Sequence, residues 1–281
     1  MDEKNWRKRF KYRVDLSGQS RFFQTLTAAR ILEEALQMQE AQHETGKTLN
    51  IGVVCRFNAA VNDVRRRIMA GELGEVYHVF INFRQHRSIP GLGGAFTTKA
   101  QSGGGVLIDL GVHIFDLILY ILGGAKIKNV TCDAYNEMAK DMKSYKCFSM
   151  WALDKSDIEN GTNDVDDYIT GYVRTDKSSI SFNGSWAQNI GEEEFFIDFL
   201  GDKGGARLDY GGQFTFWDGA TLERTRSNHD IPNMFLCEDK AFLEAIDNEE
   251  KTKTHIDNIL ETMKLLDTLY QSSDIKKEIT F

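Results

Sequence analysis

The sequence predicts an α+β protein built on a large open sheet, mixed but mostly antiparallel, with helices packed on one face. Three observations predict it. Helical and strand-length apolar patterns alternate through the first third of the chain. From Ile127 to Arg226 short alternating runs are separated by Gly, Asp and Asn turns, and two helical segments then close the chain. At 281 residues, 41% hydrophobic and 27% charged, the chain is long enough to bury a core and has the composition of a folded globular protein.

The elements follow in order. The start, MDEKNWRKRFKYR, is a basic arm with no apolar stretch behind it, and residues 1–25 read as a solvated terminal arm. Residues 26–45 place Leu26, Ala29, Leu32, Leu36 and Gln39 on one side of a helix, with Thr25 as cap and Gly46 as stop. LNIGVVCRF follows as a buried strand. NAAVNDVRRRIMAGELG sets Val61, Val64 and Ile68 at helical spacing behind an Asn58 cap, with Gly71 as terminator. VYHVFINFR alternates as a strand. The glycine-rich QHRSIPGLGGAFTTKAQSGGG after it reads as a long loop, a length that points to function.

Beyond it, IKNVTCDAYN, KCFSMWAL, DYITGYVRT, SISFNGSW, EEFFIDFLG, ARLDY and FTFWDG read as strands. The acidic insert 154–167 lacks the register of a calcium loop and reads as solvated. Helices are predicted at about 235–248 and 256–272, then a strand-like IKKEITF.

Charge and cysteines narrow the classes of function. The net charge of −8 argues against nucleic acid or an anionic membrane as the main partner and favours small ligands. Cys55, Cys132, Cys147 and Cys237 form no metal-ligand spacing, so no metal site is expected and buried free thiols are. The absence of a long apolar run or leader points to a cytoplasmic protein that contacts no membrane.

One stretch carries chemistry. In GGGVLIDLGVHIFD, residues 103–116, a helix beginning at Val106 puts Asp109, His113 and Asp116 on one face at i, i+4 and i+7. A histidine oriented by a carboxylate can move a proton at a substrate hydroxyl. Spacing alone leaves open a second reading, in which both are structural residues of a buried helix.

The segment SGGGVLIDLGVHIFDLILYILGG resembles the signature of the Gfo/Idh/MocA oxidoreductases, the glucose–fructose oxidoreductase and inositol dehydrogenase family. TGKTLNIGVVCRFNAAVNDVRRRIMAGELGEV, HRSIPGLGGAFTTKAQSGGG and VDDYITGYVR with GSWAQNIGEEEFFIDFLGDKGGARL resemble further parts of it, in the family's order. The resemblance implies a dihydrodipicolinate-reductase-like C-terminal domain over residues 58–281, for substrate binding and oligomerisation. Residues 26–57 would then be the remaining helix and strand of a Rossmann domain that is otherwise largely missing.

It further implies NAD- or NADP-dependent chemistry on a sugar, glycoside or cyclitol hydroxyl, with His113 and Asp109 catalytic. Lys99, Trp186 and Asp116 would lie near the substrate, and Arg56, Asn58 and Arg87 near the cofactor, under a loop 84–102 that closes. The partners implied are a carbohydrate, a second copy, or a full-length relative on the open sheet face. The family's glycine-rich turn and Glu-Lys-Pro are absent: Gly91-Leu92-Gly93 has Phe96 where the third glycine belongs. Two alternatives follow, with no cofactor held by this chain alone. One is a non-catalytic partner subunit, the other a cofactor-independent lyase or isomerase.

Overall fold

The computed structural model describes residues 12–16, 19–25, 30–150, 152–209, 212–229, 233–248 and 251–281. Two sheets organise them. Strands β1 (Tyr12–Leu16), β2 (Gln19–Thr25) and β3 (Leu49–Gly52) form a small sheet in that order, β1–β2 antiparallel and β2–β3 parallel. The solvated arm expected at 1–25 therefore contains two strands, while residues 1–11 lie outside the described set. Helix α1 (Leu32–Thr45) precedes β3, and the part of its expected start at 26–29 is likewise outside that set.

The buried face of α1 differs from the expected one. Ala35 is fully buried while Leu36 is 47% exposed. The reason is the smallness of what the helix covers. Ala35, Leu49, Ile51 and Val53 share a compact cluster with Ile256, Ile259 and Met263, and a residue without a long side chain lets the helix sit close. Ile51 N donates to Thr254 O at 2.9 Å, so the near-C-terminal segment is stitched to β3.

The second sheet comprises β4 (Val76–Arg84), β5 (Ile127–Tyr135), β6 (Tyr168–Thr175), β7 (Ser179–Ser185), β8 (Glu194–Gly201), β9 (Gly204–Asp209), β10 (Gln213–Asp218), β11 (Arg224–Asn228) and β12 (Ile279–Thr280). Its order is β11-β10-β9-β8-β4-β7-β6-β5-β12. Every described neighbour is antiparallel except β4 and β7, which run parallel with His78 opposite Ser179 and Arg84 opposite Ser185. A parallel pair needs a crossover, and this one holds the long loop, the site helix, β5 and β6. KCFSMWAL is not a strand; it lies in the connection between β5 and β6.

Helices α2 (Ala59–Met69), α3 (Val112–Ile121), α4 (Met234–Asn248) and α5 (Leu260–Ile275) complete the fold. On β4, Val79, Ile81 and Phe83 are fully buried, and they share the main core with Val61 and Val64 of α2, Phe115 and Ile118 of α3 and Leu265 and Leu269 of α5. Helices cover that face, as the α+β reading predicts. The helical stretch Lys99–Ile121 is long and apolar enough to cross a membrane, and its apolar window is mostly buried inside the protein. Asn58 caps α2 as expected, its Oδ1 accepting from Ala60 N at 2.8 Å and from Val61 N at 3.4 Å.

Candidate functional site

The site is built where the glycine run enters α3. Residues Leu107–Gly111 form a π-helical turn and α3 proper starts at Val112, in place of one uniform helix from residue 106. Such turns widen the backbone spiral and recur at functional sites. Asp109 sits on the widened turn and His113 just beyond it. The i, i+4 geometry expected of a regular helix is therefore not met.

The glycines are dictated by close approach. Gly103 has φ +87°, a left-handed conformation that side chains resist. A Cβ on Gly105 would lie 1.9 Å from the carbonyl oxygen of Asp166. That proximity lets the buried Asp166 carboxylate cap the turn, accepting from Gly105 N at 2.8 Å and Leu107 N at 2.9 Å. Tyr270 of α5 donates its hydroxyl to the same carboxylate at 2.7 Å, and burial beside Asp166 pushes that phenol well above its ordinary range. The end of the acidic insert is thus structural: Asp166 and Asp167 are buried, and Asp167 accepts from Glu137 N and Met138 N at 2.9 and 2.7 Å.

Trp186 meets Asp109. At the end of β7, the almost completely buried Trp186 donates its indole Nε1–H to Asp109 Oδ2 at 3.0 Å. Burial raises the Asp109 carboxyl to about 6, and the indole hydrogen bond pulls it part of the way back. Burial also lowers His113, with Asp116 opposing, so its imidazole is neutral over the physiological range. His113 Nδ1 is buried and, among the described residues, has no hydrogen-bond partner. Asp109 spends its known bond on Trp186 rather than on orienting His113, which corrects the expected role of that carboxylate.

Asp116 faces the other way. Its carboxylate takes Arg56 Nε at 2.8 Å and Arg56 Nη2 at 2.6 Å, and Thr262 Oγ1 at 3.2 Å. Both charges are almost fully buried, at 5% and 1% side-chain exposure. The Arg56 guanidinium also donates to the backbone oxygens of Lys253 at 2.5 Å and Asn258 at 3.1 Å. Asp116 and Arg56 therefore lock α3 to the C-terminal segment, and neither has a free group to present to substrate or cofactor. The Oδ1 of Asn58 is engaged in its cap.

The remaining expected residues lie around the loop. Arg87, at φ +52°, clasps Lys146 O and Asn189 Oδ1, both at 2.7 Å, with its guanidinium 4.9 Å from the Tyr145 ring centroid. Lys99 is exposed, and its backbone N donates to Asp164 Oδ1 at 2.6 Å. The loop itself is pinned. Thr97 is fully buried and donates to Thr162 O at 2.8 Å, and Asp157 N donates to Leu92 O at 2.9 Å. A closing motion of 84–102 is thus opposed by its packing against the 154–167 insert. Of the cysteines, Cys55 and Cys132 are buried as expected, Cys237 is half-buried and Cys147 is exposed.

The fit to a dinucleotide can be tested on the described residues. The glycines at 91–94 pack on protein backbone: a Cβ on Gly93 would lie 2.0 Å from Asp157 O, and one on Gly94 2.2 Å from Lys155 O. No amide cradle for a pyrophosphate is formed there, and the three residues expected at the cofactor are engaged in the fold.

A family model, the GFO/IDH/MocA C-terminal domain, matches residues 61–207, more than half of the chain. The chain belongs to the GFO/IDH/MocA family. It is 27% identical over 244 residues to the D-glucoside 3-dehydrogenase of Escherichia coli, covering 86% of this chain and 67% of that protein. It is 33% identical over 100 residues to the NAD(+)-dependent scyllo-inositol 2-dehydrogenase of Bacillus subtilis, covering 36% of this chain and 27% of that one. Among solved structures, levoglucosan dehydrogenase in complex with NADH and levoglucosan superposes with TM-score 0.78 at 14% identity, over 92% of this chain and 73% of its own. An oxidoreductase domain protein from Kribbella flavida does so with TM-score 0.78 at 18%, over 94% and 74%. The GFO/IDH/MocA chain described here thus spans about two thirds of its glucoside-dehydrogenase relative and shares the family fold.

Proposed function

We propose that this protein supplies the substrate side of an oxidoreductase acting on a ring hydroxyl of a sugar, glycoside or cyclitol, with His113 as acid–base. The observation that carries the reading is the Trp186–Asp109 hydrogen bond, which fixes a carboxyl of raised pKa on the π turn next to a neutral histidine. A neutral imidazole can take the hydroxyl proton, and a nicotinamide brought from the nucleotide side would have to take the hydride from the same carbon. The negative charge of Asp116 on the same helix favours the imidazolium that results. Buried Trp186 acts from behind, holding Asp109 in place, and Lys99 is an exposed cation on the loop. The relatives support the substrate class: a glucoside, an inositol and levoglucosan stand in their names.

The glycines at 91–94 form no phosphate cradle, so the nicotinamide would have to be held elsewhere. That same observation favours a second reading, in which the acid–base residues act on an already oxidised sugar without a cofactor. Calorimetric titration of the whole chain with methyl α-D-glucopyranoside and with its 3-keto derivative, each with and without NAD+ or NADP+, tests both readings. Saturable sugar binding strengthened by a nucleotide supports the first. Binding of the 3-keto sugar alone supports the second, and binding of neither sugar overturns both.

A further inference from the structure

Glu238, on the inner face of α4, is completely buried, and among the described residues neither of its carboxylate oxygens has a hydrogen-bond partner. An ionised carboxylate in that position has nothing to replace its lost water, so the buried group is stable only as the neutral acid. The charged and titratable groups that bear on it are few. Asp239 comes from its own helix and Lys253 from the segment after it, with Arg56, Arg65 and the Cys237 thiol around Lys253. Lys253 acts on it only through its charge: among the described residues the two form no ion pair, and the Lys253 Nζ donates to Arg56 O at 2.6 Å and lies 4.0 Å from the Phe57 ring centroid.

The helix carrying Glu238 packs on the Val54–Phe57 turn at the margin of the main core. Phe242 and Ile246 form a small cluster of their own, apart from the main core, and the outer face shows Phe235 and Leu236 at 63% and 48% exposure. Elements with few buried contacts open locally at low cost. One turn before Glu238, Met234 lines a cavity of about 70 Å³ together with Cys55, Asn58, Val61 and, from the site helix, Ile114 and Leu117. Spacing of four residues places Met234 and Glu238 on the same face, so α4 covers the cavity with the face that buries the acid.

We propose that Glu238 is a proton-controlled latch: as the neutral acid it lets α4 close over the cavity beside the site helix, and loss of its proton to solvent releases α4. The direction agrees with electrostatics. Burial, with Asp239 adding and Lys253 opposing, raises the carboxyl from 4.5 to about 8. A group whose closed-state pKa is raised holds the closed state at low pH and loses it as pH rises through that value. The opening constant of α4 therefore grows by up to about tenfold per pH unit between 4.5 and about 8, and levels off above.

Hydrogen exchange of the full chain read by mass spectrometry at about pH 6 and about pH 9, corrected for intrinsic rates, tests the latch without any activity. The expected result is a rise of at least about tenfold in α4 opening relative to β6 and β7 in the wild type, with Glu238→Gln changing less than about threefold. Should Glu238→Gln fold poorly, Glu238→Met provides the same comparison. A wild-type α4 that opens no more than β6 and β7, or a variant that opens as the wild type does, overturns the proposal.

Discussion

The indole of Trp186 donates to the carboxylate of Asp109 at 3.0 Å across a sequence separation of 77 residues, joining the end of a strand to the π turn ahead of the site helix. The bond ties the end of that strand to the turn that carries Asp109. It also makes Trp186 an internal reporter of the state of Asp109.

The difference in fluorescence between the wild type and Trp186→Phe is expected to titrate with a midpoint near 6, where Asp109 changes charge. Asp109→Asn removes that transition. Stability should follow the same group. Its carboxyl is raised from 3.8 to about 6 in the folded state, so its contribution is full below 3.8 and is lost as pH rises through about 6. Thermal melts of Asp109→Asn should lack that fall.

Breaking the Arg56–Asp116 pair from one side leaves a buried charge alone. Arg56→Met or Asp116→Asn should each cost about 3–5 kcal/mol in urea unfolding. The double variant Arg56→Met/Asp116→Leu should cost clearly less than the sum. An additive double variant would show that the pair is not coupled.

Gly105→Ala places a methyl where Asp166 O already stands, and a loss of about 2–4 kcal/mol is expected from displacing the capped turn. Gly191→Ala is the matched control, since nothing lies within 4 Å of its Cβ position. Equal melting temperatures for the two variants would contradict the close-approach account of the glycine run.

His113→Asn should lower turnover of a glycoside substrate by about 10²–10⁴ while leaving the far-ultraviolet circular dichroism unchanged. An imidazole resonance for His113 that titrates below the ordinary histidine value in the wild type would confirm its neutral state at neutral pH. A midpoint at or above that value would remove the proton acceptor from the proposed mechanism.

Sequence reading recovered the parts of this molecule that depend on near neighbours. Asn58 and the Val61 and Val64 stripe announce α2 within seven residues, and most strands of the large sheet show their alternation directly. What escaped it depends on distant partners. Leu36 is the more apolar of the neighbours Ala35 and Leu36, yet the cluster with Ile256 and Met263 buries Ala35 and leaves Leu36 outside. Asp166 looks like one more acid in a solvated insert until it is placed under a turn about sixty residues earlier. Asp116 shares the periodicity of the site residues, yet Arg56 claims it from outside the helix. The same holds for the π turn, whose widening leaves no local signal.

The parallel pairing of β4 with β7 carries a consequence for how the protein comes into being. Its register joins residues 101 positions apart, such as His78 and Ser179, so it closes only after a long stretch of chain has been ordered. Trp186 lies directly beyond that register and cannot reach Asp109 before it forms. Pairings so distant in sequence are slow steps in folding. The site should therefore mature last: during refolding, backbone structure would be regained well ahead of the indole's native environment, and a newly synthesised chain would pass through a folded-looking but incompetent stage.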